Sequence, residues 1–304
     1  MDIGAPGDRE TIRATGTRGG YSLTLSDLTL RTADLRTRCA AAATAGFTGI
    51  GLSVEHYRAA LEDRLSPAAI SGVVAEHGLE VNEVELAAHW GDPAAYSEDE
   101  LDSDRTVVRM AAELGAGRIH TTMSQHFPLD TLARGLRELC RRAADAGAVV
   151  ALEYMPYAAI DSATRAWQVI EASGADNAGL LIDAWHWQRA HTADEPESAL
   201  RAIPAARVAA IQLCDTLPEP LPDLRREALH CRQLPGHGAA ALIPMLRRLA
   251  RHGVRAPIAV EVVSDELDAQ DPYLTAQQAY ASSRTVLHDS GRPSGEPGFR
   301  DAHW

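Results

Sequence analysis

The sequence predicts a single (β/α)₈ barrel, and three observations carry that expectation. Eight short apolar runs alternate with amphipathic stretches of helical length, the pattern of a parallel sheet covered by helices. Eight such units in about 265 residues close most simply into a barrel. The competing architecture, an open doubly wound sheet, is disfavoured because no strand is followed by a GxGxxG turn.

Taken in order, strands are expected at YSLTLSDL (21–28), TGIGLSVE (48–55), EVNEVELAA (80–88), RIHTTM (118–123), AVVALEYM (148–155), AGLLIDAW (178–185), VAAIQLCD (208–215) and PIAVEVV (257–263). Helices are expected over 33–45, 66–77, 98–115, 130–146, 162–173, 240–252 and 272–287. Gly46, Gly78, Gly115, Gly147 and Gly253 stand at helix ends, where glycine most easily takes the left-handed cap conformation. Residues 1–18 read as a flexible N-terminal arm, 19–290 as the barrel and 291–304 as a C-terminal tail. Residues 216–236 read as a long loop suited to covering a pocket.

Composition narrows the function. Apolar residues make up 45% of the chain and aromatics only 5%, so the core must be built from Ala, Leu, Val and Ile. The formal charge of −13 argues against a nucleic-acid partner, which needs a basic footprint. All 29 basic residues are arginine, which excludes Schiff-base and pyridoxal chemistry on a lysine amine. Cys39, Cys140, Cys214 and Cys231 show no CxxC spacing and read as reduced thiols. With no signal-peptide pattern and no 18-residue apolar run, a cytoplasmic protein without membrane attachment is expected.

Polar residues stand where apolar strands should be finishing. Glu153 follows AVVAL, Asp183 follows GLLI, Gln212 follows VAAI and Glu261 follows PIAV. Strand ends of a barrel converge on one mouth, and buried carboxylates there need a cation or a dense set of hydrogen bonds. Three carboxylates and an amide oxygen make a hard, oxygen-rich nest for one divalent ion: Mn²⁺, Mg²⁺ or Co²⁺, with Zn²⁺ a further option. The plainer alternative is an interior salt-bridge network with arginines.

His186, three residues beyond Asp183, can serve as an acid–base group or ligate a second metal. Otherwise it stacks between Trp185 and Trp187, which alternatively wall the substrate pocket. His89 and His120 end strands three and four and are candidate substrate contacts. Arg232, in HCRQLPGHG, is a candidate clamp for a carboxylate, phosphate or enolate oxygen.

The ordered series LEYMP, LLIDAWHW, IQLCD, RQLPGHG and AVEVVS resembles the xylose-isomerase-like barrel superfamily, specifically its sugar phosphate isomerase/epimerase group. That group also includes inosose dehydratases, 3-dehydroshikimate dehydratases and endonuclease IV. The resemblance runs from about residue 20 to residue 290. It implies metal ligation by Glu153, Asp183, Gln212 and Glu261, and it matches His186 to the family's D-x-x-H histidine and Arg232 to the arginine before its PGxG turn. Two residues depart from the pattern. Gln212 stands where many epimerases and isomerases have histidine, as in some dehydratases, and His237 stands where the PGxG turn often carries Glu. Gln212 and Arg232 also occupy places where endonuclease IV has metal-ligating histidines, which argues against DNA repair.

The implied chemistry is proton removal alpha to the carbonyl of a small polyhydroxylated compound, a sugar or cyclitol, through an enediolate. Glu153 and Glu261 on opposite faces of the reacting carbon would give an epimerase. A proton moved between neighbouring carbons would give an isomerase. Loss of a beta hydroxyl, with His186 as acid, would give a dehydratase of the inosose or 3-dehydroshikimate type. Isomerase/epimerase is the first expectation and dehydratase the second, with a catalytically silent metal-binding scaffold the third. A homodimer is the base-rate assembly.

Overall fold

The computed structural model describes residues 21–190 and 195–293. The expected arm at 1–18 lies outside the described residues, as does most of the expected tail. Eight parallel strands pair in sequence order, and β1 pairs with β8 to close the barrel.

β1 (Leu23–Leu25) leads through a 3-10 turn (Asp27–Leu30) to α1 (Leu35–Ala45), and β2 (Gly49–Ser53) to α2 (Val54–Glu62) and α3 (Pro67–Glu76). β3 (Glu80–Ala87) precedes α4 (Glu98–Leu114), β4 (Arg118–Thr121) precedes α5 (Leu129–Asp145), and β5 (Val149–Glu153) precedes α6 (Ala163–Ser173). β6 (Ala178–Asp183) is followed by α7 (Ala184–Gln188) and α8 (Glu195–Leu200). β7 (Val208–Leu213) is followed by α9 (Leu224–His230) and α10 (Leu242–His252), and β8 (Ile258–Val260) by α11 (Asp265–Asp268) and α12 (Pro272–Ser290).

Each expected strand and long helix is present. The short helices α2, α7, α8, α9 and α11 were not expected, because one or two turns are too few to display a helical period. Residues 216–236 accordingly hold α9 and are not a plain loop. Local chemistry still marks the short helices: the side chains of Ser53, Asp183 and Asp223 accept the N–H three residues on, satisfying donors that the first turn leaves unpaired.

The core divides into two parts. Most buried apolar side chains fill the layer between strands and helices, whereas Ala151, Leu181, Ala209 and Ala210 form a separate small cluster of buried residues. Pairing of β2 with β3 shifts register between Ile50 and Gly51, so that Ile50 opposes Val81 and Gly51 opposes Glu83. A shift of this kind resets the alternation of side chains along the strand. Val81 and Val84, three apart, both join the strand–helix core.

None of the four cysteines is paired, and no helix among the described residues is long and apolar enough to cross a membrane.

Two helical glycines test the packing in opposite directions. A Cβ on Gly135 in α5 would lie 1.8 Å from the Trp90 carbonyl oxygen, whereas one on Gly72 in α3 would meet nothing within 4 Å. Gly72→Ala should raise the unfolding free energy by about 0.5–1 kcal/mol in a urea titration, through helix propensity alone. Gly135→Ala should lower it by about 1–3 kcal/mol, the range for forcing an extra carbon into a packed site.

Candidate metal centre

The ends of β5 to β8 bring the expected polar residues together. Asp183 is both the last residue of β6 and the N-cap of α7, where its Oδ1 accepts the His186 N–H at 2.9 Å. That bond turns the chain back over the strand end and delivers the His186 imidazole beside Glu153, with Nε2 3.1 Å from Glu153 Oε1. Glu153, Asp183 and His186 are all buried, and they offer one ligand atom each within 4.8 Å of one another. Aromatic rings enclose the imidazole: Trp185 edge-on at 5.2 Å between centroids, Tyr157 at 5.9 Å and Tyr154 at 6.4 Å.

Gln212 and Glu261 occupy the next two strand ends and are engaged with each other. Gln212 Nε2 donates to Glu261 Oε1 at 2.6 Å, and Ser26 Oγ donates to the same oxygen at 3.0 Å. One guanidinium nitrogen of Arg232 bridges the two halves, donating to Asp183 Oδ2 at 2.9 Å and to Glu261 Oε2 at 3.0 Å.

Arg232 is held in place by backbone on both sides. Its N–H donates to the Val263 carbonyl, and the neighbouring Gln233 exchanges two backbone bonds with Asp215. Buried Asp215 also accepts the N–H groups of Gly236 and Ala240 at 2.8 and 2.7 Å, which folds the PGHG turn beneath it. A Cβ on Gly238 would lie 2.2 Å from the Thr216 carbonyl oxygen, so only glycine fits there. His237 in the same turn is exposed.

The donor set fits a divalent cation on two counts. Glu153 Oε1, Gln212 Oε1 and both ring nitrogens of His186 are buried without a hydrogen-bond partner, and such atoms cost free energy unless something satisfies them. Arg232 pairs with Asp183 and Glu261, so with Glu153 three carboxylates stand against one guanidinium, which leaves two negative charges to offset if all three ionise. Burial pushes the Glu261 carboxyl up to about 7 against the pull of Arg232, with the charges of Glu153 and Asp183 adding to the rise.

The remaining sequence candidates lie as follows. His120 is buried on β4 and faces Glu83 and Glu85. His89 is turned away from the cluster, its Nδ1 3.1 Å from Asp104 Oδ1 of α4 and its ring against Tyr96. Trp185, expected as a pocket wall, is fully buried behind His186 and donates Nε1 to Glu227 Oε1 at 3.1 Å. Arg232, expected to clamp a substrate anion, pairs with the protein's own carboxylates.

Sequence reasoning did not single out Glu83, Glu85, Ser26 or Glu227. Fully buried Glu227 of α9 accepts from Trp185, from the Arg189 guanidinium and from the Leu221 N–H, tying α7 to the 216–230 segment. A carboxylate on a short, unexpected helix carries no signal of its own. Glu83 and Glu85, two of the three glutamates of EVNEVELAA, are polar interruptions of a strand.

A family model for the xylose isomerase-like TIM barrel matches residues 39–285. The chain belongs to that family. As one member among its relatives, it is 31% identical over 147 residues to an inosose isomerase of Halalkalibacterium halodurans, covering 47% of this chain and 50% of that protein. It is 27% identical over 158 residues to a 3-dehydroshikimate dehydratase of Pseudomonas aeruginosa, covering 52% of this chain and 24% of that protein. The matched stretches therefore span half of the first relative's length and about a quarter of the second's. The fold is similar to that of the IolI protein crystallised with a bound zinc atom, with a TM-score of 0.77, 17% identity, and 88% and 99% of the two chains covered.

Two measurements probe the centre. A carboxyl raised from 4.5 to about 7 in the folded state contributes stability that is fully present below pH 4.5 and lost as pH rises through about 7. Cation binding must displace that proton, so Mn²⁺ should raise the melting temperature more at pH 8 than at pH 6. Glu227→Ala should lower the unfolding free energy by about 3–5 kcal/mol in chemical denaturation, because it strands buried donors around a lost carboxylate.

Proposed function

We propose that the chain is a metal-dependent enzyme that removes a proton alpha to the carbonyl of a small polyhydroxylated compound, a sugar or cyclitol, and returns it as an isomerase. The observation that carries this reading is the Glu153–His186 pair. A carboxylate oxygen and an imidazole nitrogen stand 3.1 Å apart, both without hydrogen-bond partners, among three buried carboxylates. The donor atoms favour Mn²⁺ or Co²⁺, with Zn²⁺ and Mg²⁺ as options, because imidazole beside carboxylate suits a transition ion better than Mg²⁺. Such an ion, held by Glu153, Asp183 and His186 and joined by Gln212 and Glu261, would polarise the substrate carbonyl and acidify the adjacent C–H.

The chain's own groups divide the work unequally. Glu261 accepts three hydrogen bonds, from Ser26, Gln212 and Arg232, and this anchoring suits a fixed charge better than a mobile base. Glu153 has an oxygen available to take the proton, and His186 can hold or pass it on. Tyr157 and Trp185 keep water from the imidazole. A base pair on one side of the substrate supports proton return on the same face, to the neighbouring carbon, which is isomerisation. Epimerisation through Glu153 and Glu261 as opposed bases draws less support, since Glu261 is committed to its three donors.

Dehydration is the second reading, and His186 favours it. A ring nitrogen of His186 not taken by the ion would be free to protonate a departing beta hydroxyl while Glu153 holds the alpha proton. Gln212 in place of histidine and the partial likeness to a 3-dehydroshikimate dehydratase point the same way.

Proton NMR of the Mn²⁺-loaded protein in D₂O, with a panel of ketoses, inososes and 3-dehydroshikimate, tests both readings. Exchange or migration of an alpha proton with all oxygens retained is the expected result, and a new vinylic resonance would transfer the assignment to dehydration. Glu153→Gln should reduce turnover by at least about 10²-fold, the lower end for loss of a general base, with an unchanged circular-dichroism spectrum. Full activity in that variant would remove Glu153 from the mechanism.

A further inference from the structure

A second group of buried polar side chains lies beside the metal centre and takes no part in it. Pairing of β3 with β4 sets Glu83 opposite Arg118 and Val84 opposite Ile119, and both Glu83 and Glu85 face His120 of β4. The three residues are 1%, 6% and 1% exposed, respectively. The imidazole stands between the carboxylates, with Nε2 3.3 Å from Glu83 Oε2 and Nδ1 3.9 Å from Glu85 Oε2. Neither ring nitrogen reaches hydrogen-bond geometry, and Glu83 Oε1 and Glu85 Oε1 also have no partner. Four unsatisfied polar atoms in a closed interior are costly, so the patch is built to receive something.

A second metal ion does not fit it. The two ring nitrogens face different carboxylates, and the three side chains do not converge as Glu153, Asp183 and His186 do.

Hydroxyl groups do fit. Burial, with the charges of Glu261, Asp27, Glu83 and Glu153, holds the Glu85 carboxyl well above the usual range, which favours its protonated, hydrogen-bond-donating form. Burial works against a charged His120, yet the Glu83, Glu153 and Glu261 carboxylates raise it above the ordinary imidazole value. The patch therefore offers donors from Glu85 and His120 and an acceptor from Glu83, matching groups that both give and accept hydrogen bonds.

An anionic group fits poorly, because His120, whose charge would attract it, already stands between Glu83 and Glu85. Among the described residues the buried arginines are Arg38, Arg118 and Arg232. Arg38 pairs with Asp27, Arg118 donates to the Ala209 carbonyl, and Arg232 serves Asp183 and Glu261.

The strand register places the patch at the right reach. His120 pairs with Ala151, two residues before Glu153 on the adjacent strand. The Cα atoms of His120 and Glu153 are then roughly 8 Å apart from strand rise and spacing, a distance that a six-carbon ring or chain can bridge.

We propose that Glu83, Glu85 and His120 form a subsite for the hydroxyl groups remote from the substrate carbonyl, and that it selects neutral polyhydroxylated compounds over those carrying a phosphate or carboxylate. This rests on the proposed function and goes beyond it by naming the charge class of the substrate.

Calorimetric titration of the Mn²⁺-loaded full chain tests it with neutral ketohexoses and inososes on one side, and ketohexose phosphates and 3-dehydroshikimate on the other. The expected result is a neutral member bound at least tenfold more tightly than any anionic one, with Glu83→Gln and His120→Asn each reducing that preference to threefold or less. An anionic member bound as tightly as the best neutral one by the wild-type protein overturns the inference, and needs no variant to fold. Binding of neither class overturns it as well. Alpha-proton exchange of hydroxyacetone by the wild-type protein in D₂O separates the two levels. Exchange without charge preference leaves the proposed function standing and removes the subsite, whereas no exchange removes the function.

Discussion

Glu153, Asp183 and Glu261 bring three carboxylates to neighbouring strand ends with one guanidinium among them, and much of the surrounding structure is arranged around that excess of acid. Water cannot solvate groups this deeply buried, so the protein must supply donors or hold a cation. It supplies donors unevenly. Glu261 receives three, whereas Glu153 Oε1 and Gln212 Oε1 receive none. The unsatisfied atoms lie where a cation would restore neutrality. The same imbalance lifts the Glu261 carboxyl, which couples cation binding to proton release.

The loops of the mouth hold this arrangement through buried carboxylates that bind backbone or cations and not the substrate. Asp183 caps α7 and thereby aims His186. Asp215 gathers the N–H groups of Thr216, Gly236 and Ala240 and so seats the segment carrying Arg232. Glu227 collects Trp185, Arg189 and Leu221, which fixes the aromatic wall behind the imidazole. Just past the end of β1, Asp27 is held below the usual carboxylate range by Arg38 and His56 despite its burial. Each acid is matched to nearby donors, in contrast with Glu83, Glu85 and His120, which are left open.

That contrast bears on specificity. The strand ends carry buried polar groups of two kinds. On β5 to β8 they gather three carboxylates near one guanidinium, and on β3 and β4 they set one imidazole between two glutamates. Under the proposed function and subsite, a substrate that satisfies both would have a carbonyl at one end and uncharged hydroxyls at the other.

The sequence by itself determined the eight strands, the long helices and the meeting of Glu153, Asp183, Gln212, Glu261, His186 and Arg232, because strand period and polar strand ends are local patterns that barrel closure turns into one mouth. Tertiary structure alone decided which side chains face which. His89 and His120 look alike in sequence, each ending a strand, yet one turns out to Asp104 of α4 and the other lies buried between two glutamates. Glu83 and Glu85 reach His120 through the register of β3 against β4, a property of paired strands that neither strand's own sequence displays. The split of the four expected ligands, with Glu153 and Asp183 beside His186 and with Gln212 joined to Glu261, depends on where Arg232 sits. Its position is set by backbone pairing with residues about thirty positions away, an interaction that exists only once the barrel has closed.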